Sequence, residues 1–294
     1  MFERLVQAGY SLIAYDTNPQ RLEYARSLGA ASVGSPAELA GRCDTIITIL
    51  PSSPIVESVV FGANGLLESM RPGSILIDMS SSLPSSTKKI AAALKERGIN
   101  MLDAPISGGV TGARAGTLAI MVGGDAEFLA KHQPMLEAMG KNVFHCGDTA
   151  AGHAMKAMNN YLSATHMIAT TEAAILATKM GLDPAKLIDV VNASSGRSWS
   201  SQFKFPNFVL PRTFNAGFTV GLMCKDLDIF TTMGKENGMP LFVANAVHQL
   251  WSYALSQNGA PEDHTTIVKF LEQWAGVEVQ PADAGPDQSI PTSA

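Results

Sequence analysis

A chain of 294 residues, 46% hydrophobic and 16% charged, has the composition of a globular protein and enough length for two domains. Its net charge of -5 and its lack of any basic run argue against nucleic acid or an anionic membrane surface as a partner, and no stretch is apolar enough to span a membrane. Cys43, Cys146 and Cys224 are too far apart for a disulfide framework or a structural zinc site, so we expect no metal and a reducing, cytoplasmic location.

The chain opens with the pattern of half a dinucleotide-binding fold. An amphipathic helix pattern covers 2–8, Gly9 stops it, and an apolar strand pattern over 10–15 ends at Asp16. In such folds an acid at this place accepts hydrogen bonds from the adenosine ribose. The alternative is an ordinary turn residue before Pro19.

The strand and the glycine-rich turn that precede this helix in dinucleotide-binding folds do not occur in the sequence. We therefore expect a chain that is truncated at its N-terminus, through a start codon assigned too far downstream. A chain that truly starts here should have exposed strand edges, low stability and weak affinity for the dinucleotide.

Strand and helix patterns then alternate as far as residue 146. Further strand patterns cover 45–50, 74–79, 101–104, 118–122 and 141–146. Helical patterns cover 19–28, 36–41, 54–61, 84–97 and 126–139, and several of them open with a proline in the first turn. This alternation predicts the α/β class, with a Rossmann-type, mostly parallel sheet.

Three loops of small polar residues follow strand patterns. They are 50–53, 78–82 and 103–109. Ligands of open α/β sheets bind beyond the carboxyl ends of the strands, although serine- and glycine-rich loops are common wherever strands end. In the third loop, Gly108 and Gly109 would let a carboxylate approach the backbone, and Ser107 adds a hydroxyl donor. The alternative is a tight turn.

After Gly147 the strand patterns stop and the chain reads as helix. Helical patterns cover 150–180, 220–237, 240–256 and 264–275, and another opens at 183–184 with a good N-cap. We therefore predict an incomplete dinucleotide-binding domain at 1–147 and an all-helical domain at 148–279 for substrate binding and dimerisation. The tail at 280–294 is rich in Pro, Ala and Asp and should be disordered.

The longest helical pattern opens with the sequence GHAMKAMNN, which places a polar cluster on an apolar helix. Lys156, Asn159 and Asn160 stand at i, i+3 and i+4, so they share an arc of about 100°. Neighbours such as Met155 and Met158 make the rest of the helix fit for burial. The alternative is a lysine that reaches solvent beside two surface amides.

Three ordered motifs resemble those of the β-hydroxyacid dehydrogenase family. The family's substrate loop is similar to 103–109, its motif G-x-x-x-K-x-x-N-N matches 152–160, and its motif K-D-L-x matches 225–228. The likeness covers about 1–279. The resemblance implies an oxidoreductase with a Rossmann-type domain, an all-helical domain and NAD as cofactor.

The resemblance also implies roles for single residues. Lys156 is implied to be the catalytic acid/base. The residues implied to bind the substrate carboxylate or to position the substrate are Ser107, Gly108, Gly109, Asn159 and Asn160. Those implied to contact NAD are Leu50, Pro51, Ile55, Ser81 and Lys225, with Lys225 at the nicotinamide end. Asp16 favours NAD over NADP, because an acid at that position repels a 2′-phosphate.

Hydride loss from a primary alcohol requires removal of the hydroxyl proton, and Lys156 is the member of the cluster that can accept it. A free lysine has a pKa of about 10.4, which must fall by about 2 to 3 for useful basicity near neutral pH. We expect apolar Met155 and Met158 and cationic Lys225 to lower it.

We therefore predict NAD-dependent oxidation of a small 3-hydroxy acid, of the 3-hydroxyisobutyrate type, to its semialdehyde. One alternative is a sister-branch reductase of the tartronate semialdehyde or threonate type. Another is a non-catalytic dinucleotide-binding or scaffold protein of the same fold. The predicted ligand is a small carboxylate-bearing substrate. The long apolar helix indicates that the chain assembles as a homodimer or homotetramer.

Overall fold

The computed structural model describes residues 1–281, which divide into two compact units. The first unit covers Met1–Met158, and the second begins at Asn159. The division lies inside the long helix Ala151–Lys179, whereas the predicted boundary precedes that helix. The predicted disordered tail begins at residue 280, and its part from residue 282 onward lies outside the described residues.

The first unit is built on a mostly parallel sheet, as predicted. Its strands are β1 (Ile13–Ala14), β2 (Ala31–Ser32), β3 (Thr45–Thr48), β4 (Ile75–Asp78), β5 (Asn100–Asp103), β6 (Ile106–Ser107), β7 (Ala119–Gly123) and β8 (Asn142–Gly147). The main sheet has the order β3-β4-β5-β7-β6, and β8 pairs in parallel with β7. Strand β7 is antiparallel to β5 and β6, while β3, β4 and β5 are parallel. Strands β1 and β2 form a separate parallel pair, which the sequence pattern did not predict.

Helices of the first unit cover both faces of this sheet. They are α1 (Phe2–Gln7), α2 (Pro19–Ser27), α3 (Pro36–Arg42), α4 (Ser53–Phe61), α5 (Leu66–Ser69), α6 (Pro84–Glu96), α7 (Gly109–Ala115) and α8 (Ala126–Glu137). In β4, Ile75 and Ile77 pack into one apolar cluster and Leu76 into the other. Two-sided burial of this kind explains why the strand reads as a continuous apolar run rather than an alternating one.

The second unit is helical. Its elements are the continuation of α9 (Ala151–Lys179), then α10 (Pro184–Ala193), a π-helix at Ser200–Val209, α11 (Val220–Glu236), α12 (Phe242–Ala254), a short π-helix at Leu255–Gly259, a 3-10 turn at His264–Thr266 and α13 (Ile267–Ala275). Its core includes Phe205, Val220 and Trp251, all fully buried. Among helices of the described residues, none combines the length and apolarity needed to cross a bilayer.

The π-helix buries a lysine in this unit. Lys204 is buried, and its Nζ donates a hydrogen bond to Ser163 Oγ at 2.9 Å. Burial lowers the pKa of Lys204 from 10.5 to about 8, an effect that the Asp263 carboxylate only partly offsets. Burial of the charged amine therefore costs folding free energy, and that cost disappears when the amine is neutral.

We predict that the second unit becomes more stable between about pH 8 and 10.5, because the unfolded lysine keeps its proton there while the folded one loses it. The penalty is fully present below pH 8 and is on the order of 3 kcal/mol. Lys204→Met should remove this pH dependence. Urea unfolding at pH 7 and pH 9.5, followed by tryptophan fluorescence, measures it, because all three tryptophans lie in this unit. Exposed Lys235→Met is the control, and an unchanged pH dependence in Lys204→Met would contradict the prediction.

Candidate functional site

Helix α9 begins directly against two strands of the main sheet. A Cβ on Gly152 would overlap the carbonyl oxygen of Met121 in β7 and lie 2.8 Å from the carbonyl oxygen of Asp103 in β5. A Cβ on Gly123 would lie 2.7 Å from the Gly152 nitrogen. Only glycine allows backbones to approach this closely, so the glycine that opens the motif sets the position of the first turn of α9.

The Asp103 carboxylate caps this turn. Its Oδ1 accepts the Ala150 N–H at 2.7 Å, and its Oδ2 accepts the His153 N–H at 2.8 Å. Ala150 has a φ of 77°, an uncommon conformation for a residue with a Cβ. Asp103 is also the last residue of β5, so the strand, the cap and the loop that follows are fixed by one side chain.

Lys156 follows one turn after His153 and is buried, at 8% exposure. The alternative of a lysine that reaches solvent is therefore wrong. Met155 and Met158, which we expected to bury it, are 48% and 44% exposed. Helical spacing puts them on other faces of α9, so the burial of Lys156 has another origin. Leu162, further along the same helix, is 50% exposed as well. The predicted burial of this helix in a homodimer or homotetramer stays a prediction.

One turn further along α9, in the second unit, Asn160 joins a buried polar group. Its Nδ2 donates a hydrogen bond to Asp226 Oδ2, and its Oδ1 accepts Asn159 Nδ2 at 3.1 Å. Asp226 Oδ1 is 3.2 Å from Lys225 Nζ. Asn160 and Asp226 are buried, whereas Asn159 is exposed. The structure thus links Asn160 and Lys225, two predicted site residues, through a carboxylate.

The predicted substrate loop is more regular than expected. Ser107 ends β6 and pairs with Ala119 of β7, and α7 begins at Gly109. Gly108 has a φ of 129° and Gly109 a φ of 60°, so both need the conformational freedom of glycine. A Cβ on Gly109 would meet nothing within 4 Å, so the space beside its backbone is open to a ligand.

The residues that follow the strands of the first unit carry side chains of the kinds that bind a dinucleotide. Asp16 follows β1, and its Oδ1 accepts the Asn18 N–H at 2.8 Å, so the carboxylate is held in a turn where ribose hydroxyls can donate to it. Pro51 and Ile55 are exposed and Ser81 is half-buried, which gives an apolar surface beside a hydroxyl. The Leu50 N–H donates to Ser80 Oγ at 2.9 Å, so this donor serves the fold.

Sequence reasoning missed a buried polar network under these loops. Its members in the first unit include His153, Asp78 and Thr87, all of them buried. The Asp78 carboxylate accepts hydrogen bonds from Thr48 Oγ1 at 2.9 Å and from the Ser80 N–H at 3.1 Å. The signal available in the sequence was a polar residue inside an apolar run, as in ILID of β4. Within residues 1–281, His, Cys, Asp and Glu side chains form no group of three or more that could hold a metal ion.

Two family models match the chain. The NAD-binding domain of 6-phosphogluconate dehydrogenase matches residues 1–147. The second model, described as NAD-binding of NADP-dependent 3-hydroxyisobutyrate dehydrogenase, matches residues 150–271.

Similar proteins cover nearly the whole chain. Mitochondrial 3-hydroxyisobutyrate dehydrogenase of Mus musculus is 37% identical over 93% of this chain and 83% of its own. The NAD-dependent L-serine dehydrogenase of Pseudomonas aeruginosa is 36% identical over 94% of this chain and 95% of its own. A solved structure of Mycobacterium tuberculosis 3-hydroxyisobutyrate dehydrogenase with L-serine has 31% identity and a TM-score of 0.87, and covers 92% of this chain and 94% of that one.

Proposed function

Because the chain belongs to the β-hydroxyacid dehydrogenase family, we propose that it oxidises the primary alcohol of 3-hydroxyisobutyrate, or of a close analogue, to the semialdehyde. The chain is an oxidoreductase that acts on hydroxyacids with NAD, so a non-catalytic scaffold function is dropped. One observation carries the finer assignment. Lys156 is a buried amine on a helical turn that Asp103 and Gly152 fix against the sheet.

Lys156 is proposed to act as the general acid/base. In the direction of oxidation its neutral amine takes the hydroxyl proton while the carbon–hydrogen bond breaks, and in reduction its ammonium returns that proton. NAD⁺, when bound, supplies the acceptor for the hydride. Lys156 is buried, so little bulk water competes with the alcohol for this proton.

The other predicted residues are proposed to hold the substrate and the cofactor. Ser107 and the exposed backbone of Gly108 and Gly109 suit a carboxylate, because a hydroxyl and N–H groups donate to it without a side chain in the way. One N–H of the Asn160 amide is used by Asp226. The second N–H can donate to the substrate, and Asp226 fixes its direction.

The cofactor contacts are proposed on the strand ends of the first unit, with Lys225 as the contact at the nicotinamide end. Asp16 would accept the ribose hydroxyls, and Ser81 would donate its hydroxyl. Pro51 and Ile55 would cover apolar surface of the dinucleotide. These roles are supported by the positions of the residues after β1, β3 and β4, where ligands of such sheets bind.

L-serine is the second candidate substrate, because one similar enzyme is an L-serine dehydrogenase and the solved relative contains L-serine. Serine is also a 3-hydroxy acid, and its α-carbon carries an ammonium group where that of 3-hydroxyisobutyrate carries a methyl group. When its hydroxyl faces Lys156, transfer of the hydroxyl proton would leave the serine ammonium and the newly charged Lys156 ammonium within several ångströms of each other. Like-charge repulsion therefore favours 3-hydroxyisobutyrate.

Lys156→Met should lower kcat by about 10²- to 10⁴-fold, the usual contribution of a general acid/base. NAD⁺ affinity, measured by isothermal titration calorimetry, should stay within about threefold of the wild type, because the proton transfer is not part of cofactor binding. Lys179→Met is the matched control, since Lys179 is an exposed lysine on the same helix. Near-normal turnover in Lys156→Met would remove the lysine from the mechanism.

Asp16→Asn should reduce the preference for NAD⁺ over NADP⁺ by roughly tenfold or more in kcat/KM, because the repulsion of the 2′-phosphate is lost. Steady-state kinetics with both cofactors measure the ratio. Glu23→Gln removes an exposed negative charge from the neighbouring helix α2 and serves as the control for net charge. An equal ratio in the wild type and Asp16→Asn would assign Asp16 to the turn alone.

A panel of 3-hydroxyisobutyrate, L-serine, threonate and tartronate semialdehyde, assayed with the matching form of the cofactor, tests the substrate. We expect kcat/KM for 3-hydroxyisobutyrate to exceed that for L-serine by about tenfold or more, because the serine ammonium is repelled by a protonated Lys156. A higher kcat/KM for L-serine would select the second candidate. A higher kcat/KM for threonate or tartronate semialdehyde would select a sister branch.

A further inference from the structure

His153 is fully buried in the first unit, one turn before Lys156, and both of its ring nitrogens are in hydrogen bonds. The Nε2 atom is 3.0 Å from the carbonyl oxygen of Ser80, and Nδ1 is 2.7 Å from Thr87 Oγ1. Because a carbonyl oxygen can only accept, Nε2 carries a hydrogen and donates it to Ser80. Nδ1 can accept the Thr87 hydroxyl in the neutral ring.

Ser80 is the point where two of the proposed cofactor loops meet. Its N–H donates to Asp78 Oδ1 at 3.1 Å, and its Oγ accepts the Leu50 N–H at 2.9 Å. Its carbonyl oxygen is the acceptor for His153. The next residue, Ser81, is a proposed cofactor contact. A shift of Ser80 would therefore move the loops after both β3 and β4.

The two carboxylates beside the imidazole are satisfied by other donors. Asp78 Oδ2 and Asp103 Oδ2 are each 3.8 Å from a ring nitrogen, which is beyond hydrogen-bond distance. Asp78 accepts from Thr48, Ser80 and Ser82, and Asp103 accepts from two backbone N–H groups at the start of α9. The hydrogen bond that the imidazole supplies to this loop is therefore the one from Nε2 to the Ser80 carbonyl oxygen.

We propose that His153 is a positioning residue for the oxidation: its Nε2–H holds Ser80 and so fixes the cofactor loop 80–82 relative to the turn of α9 that carries Lys156. The inference rests on the proposed function of Lys156. Proton and hydride leave the same alcohol group, so the amine and the hydride acceptor must keep a set separation. A misplacement of about 1 Å can cost up to about 10²-fold in rate.

Two substitutions of His153 by amide residues test the hydrogen bonds of Nε2 and Nδ1 separately. In His153→Gln, the side-chain nitrogen reaches the place of Nε2 and can still donate to Ser80. In His153→Asn, the shorter amide reaches the place of Nδ1, keeps a partner in Thr87 and loses Ser80. Thr87→Val removes the bond at Nδ1 by a change of similar volume and leaves the bond to Ser80 in place.

We expect His153→Asn to raise the NAD⁺ dissociation constant, measured by isothermal titration calorimetry, by about tenfold, as expected for a lost buried hydrogen bond. Its kcat should fall by about tenfold or more. Amide hydrogen exchange at residues 80–83 of the cofactor-free protein should become faster. His153→Gln and Thr87→Val should stay within about threefold of the wild type in NAD⁺ affinity.

Equal losses of NAD⁺ affinity in His153→Asn and His153→Gln, in proportion to their melting temperatures, would show a merely structural role and overturn the proposal. Wild-type affinity and exchange in His153→Asn would overturn it as well. The NAD⁺ titration is repeated in the Lys156→Met background. There the effect of His153→Asn on affinity should persist, so this result is read separately from any failure of Lys156 as the acid/base.

Discussion

The Asp103 carboxylate is the constraint on which the proposed active site depends. It is fully buried, and a buried charge is costly unless donors replace its water. Two backbone N–H groups at the start of α9 do this, and the positive end of the 29-residue helix adds a favourable field. The same residue ends a central strand and precedes the substrate loop. The end of β5, the substrate loop and the turn that leads to Lys156 are therefore all positioned by Asp103.

Much of the fold was predictable because its signals are local. The strand pattern at 74–79 matches β4, Ile75–Asp78, and the predicted helix at 84–97 matches α6, Pro84–Glu96. Buried strands read as short apolar runs, and Pro marks the first turns of helices. Helix α7 was missed because GGVTGARAG is rich in glycine and has no apolar period. The π-helix at Ser200–Val209 was missed because Pro206 argues against a regular helix.

The proposed active site was predictable only in part, because its partners are distant in sequence. Helical period placed Lys156 and Asn160 one turn apart, and both are buried. Period alone does not say which face the rest of the chain covers, so the exposure of Met155 and Met158 was not foreseen. His153 meets Ser80 across 73 positions, and Asn160 meets Asp226 across 66. No pattern within one segment reveals such pairs.

The three consecutive serines after β4 look in the sequence like a ligand surface of three equal hydroxyls. In the folded chain they are unequal: the buried Ser80 hydroxyl accepts the Leu50 N–H, the buried Ser82 hydroxyl donates to Asp78, and Ser81 is only partly buried. A bound ligand would therefore meet one available hydroxyl in this triplet rather than three. Serine tracts at strand ends thus overstate the chemistry that a protein offers to its surroundings, because part of the tract serves as internal scaffolding.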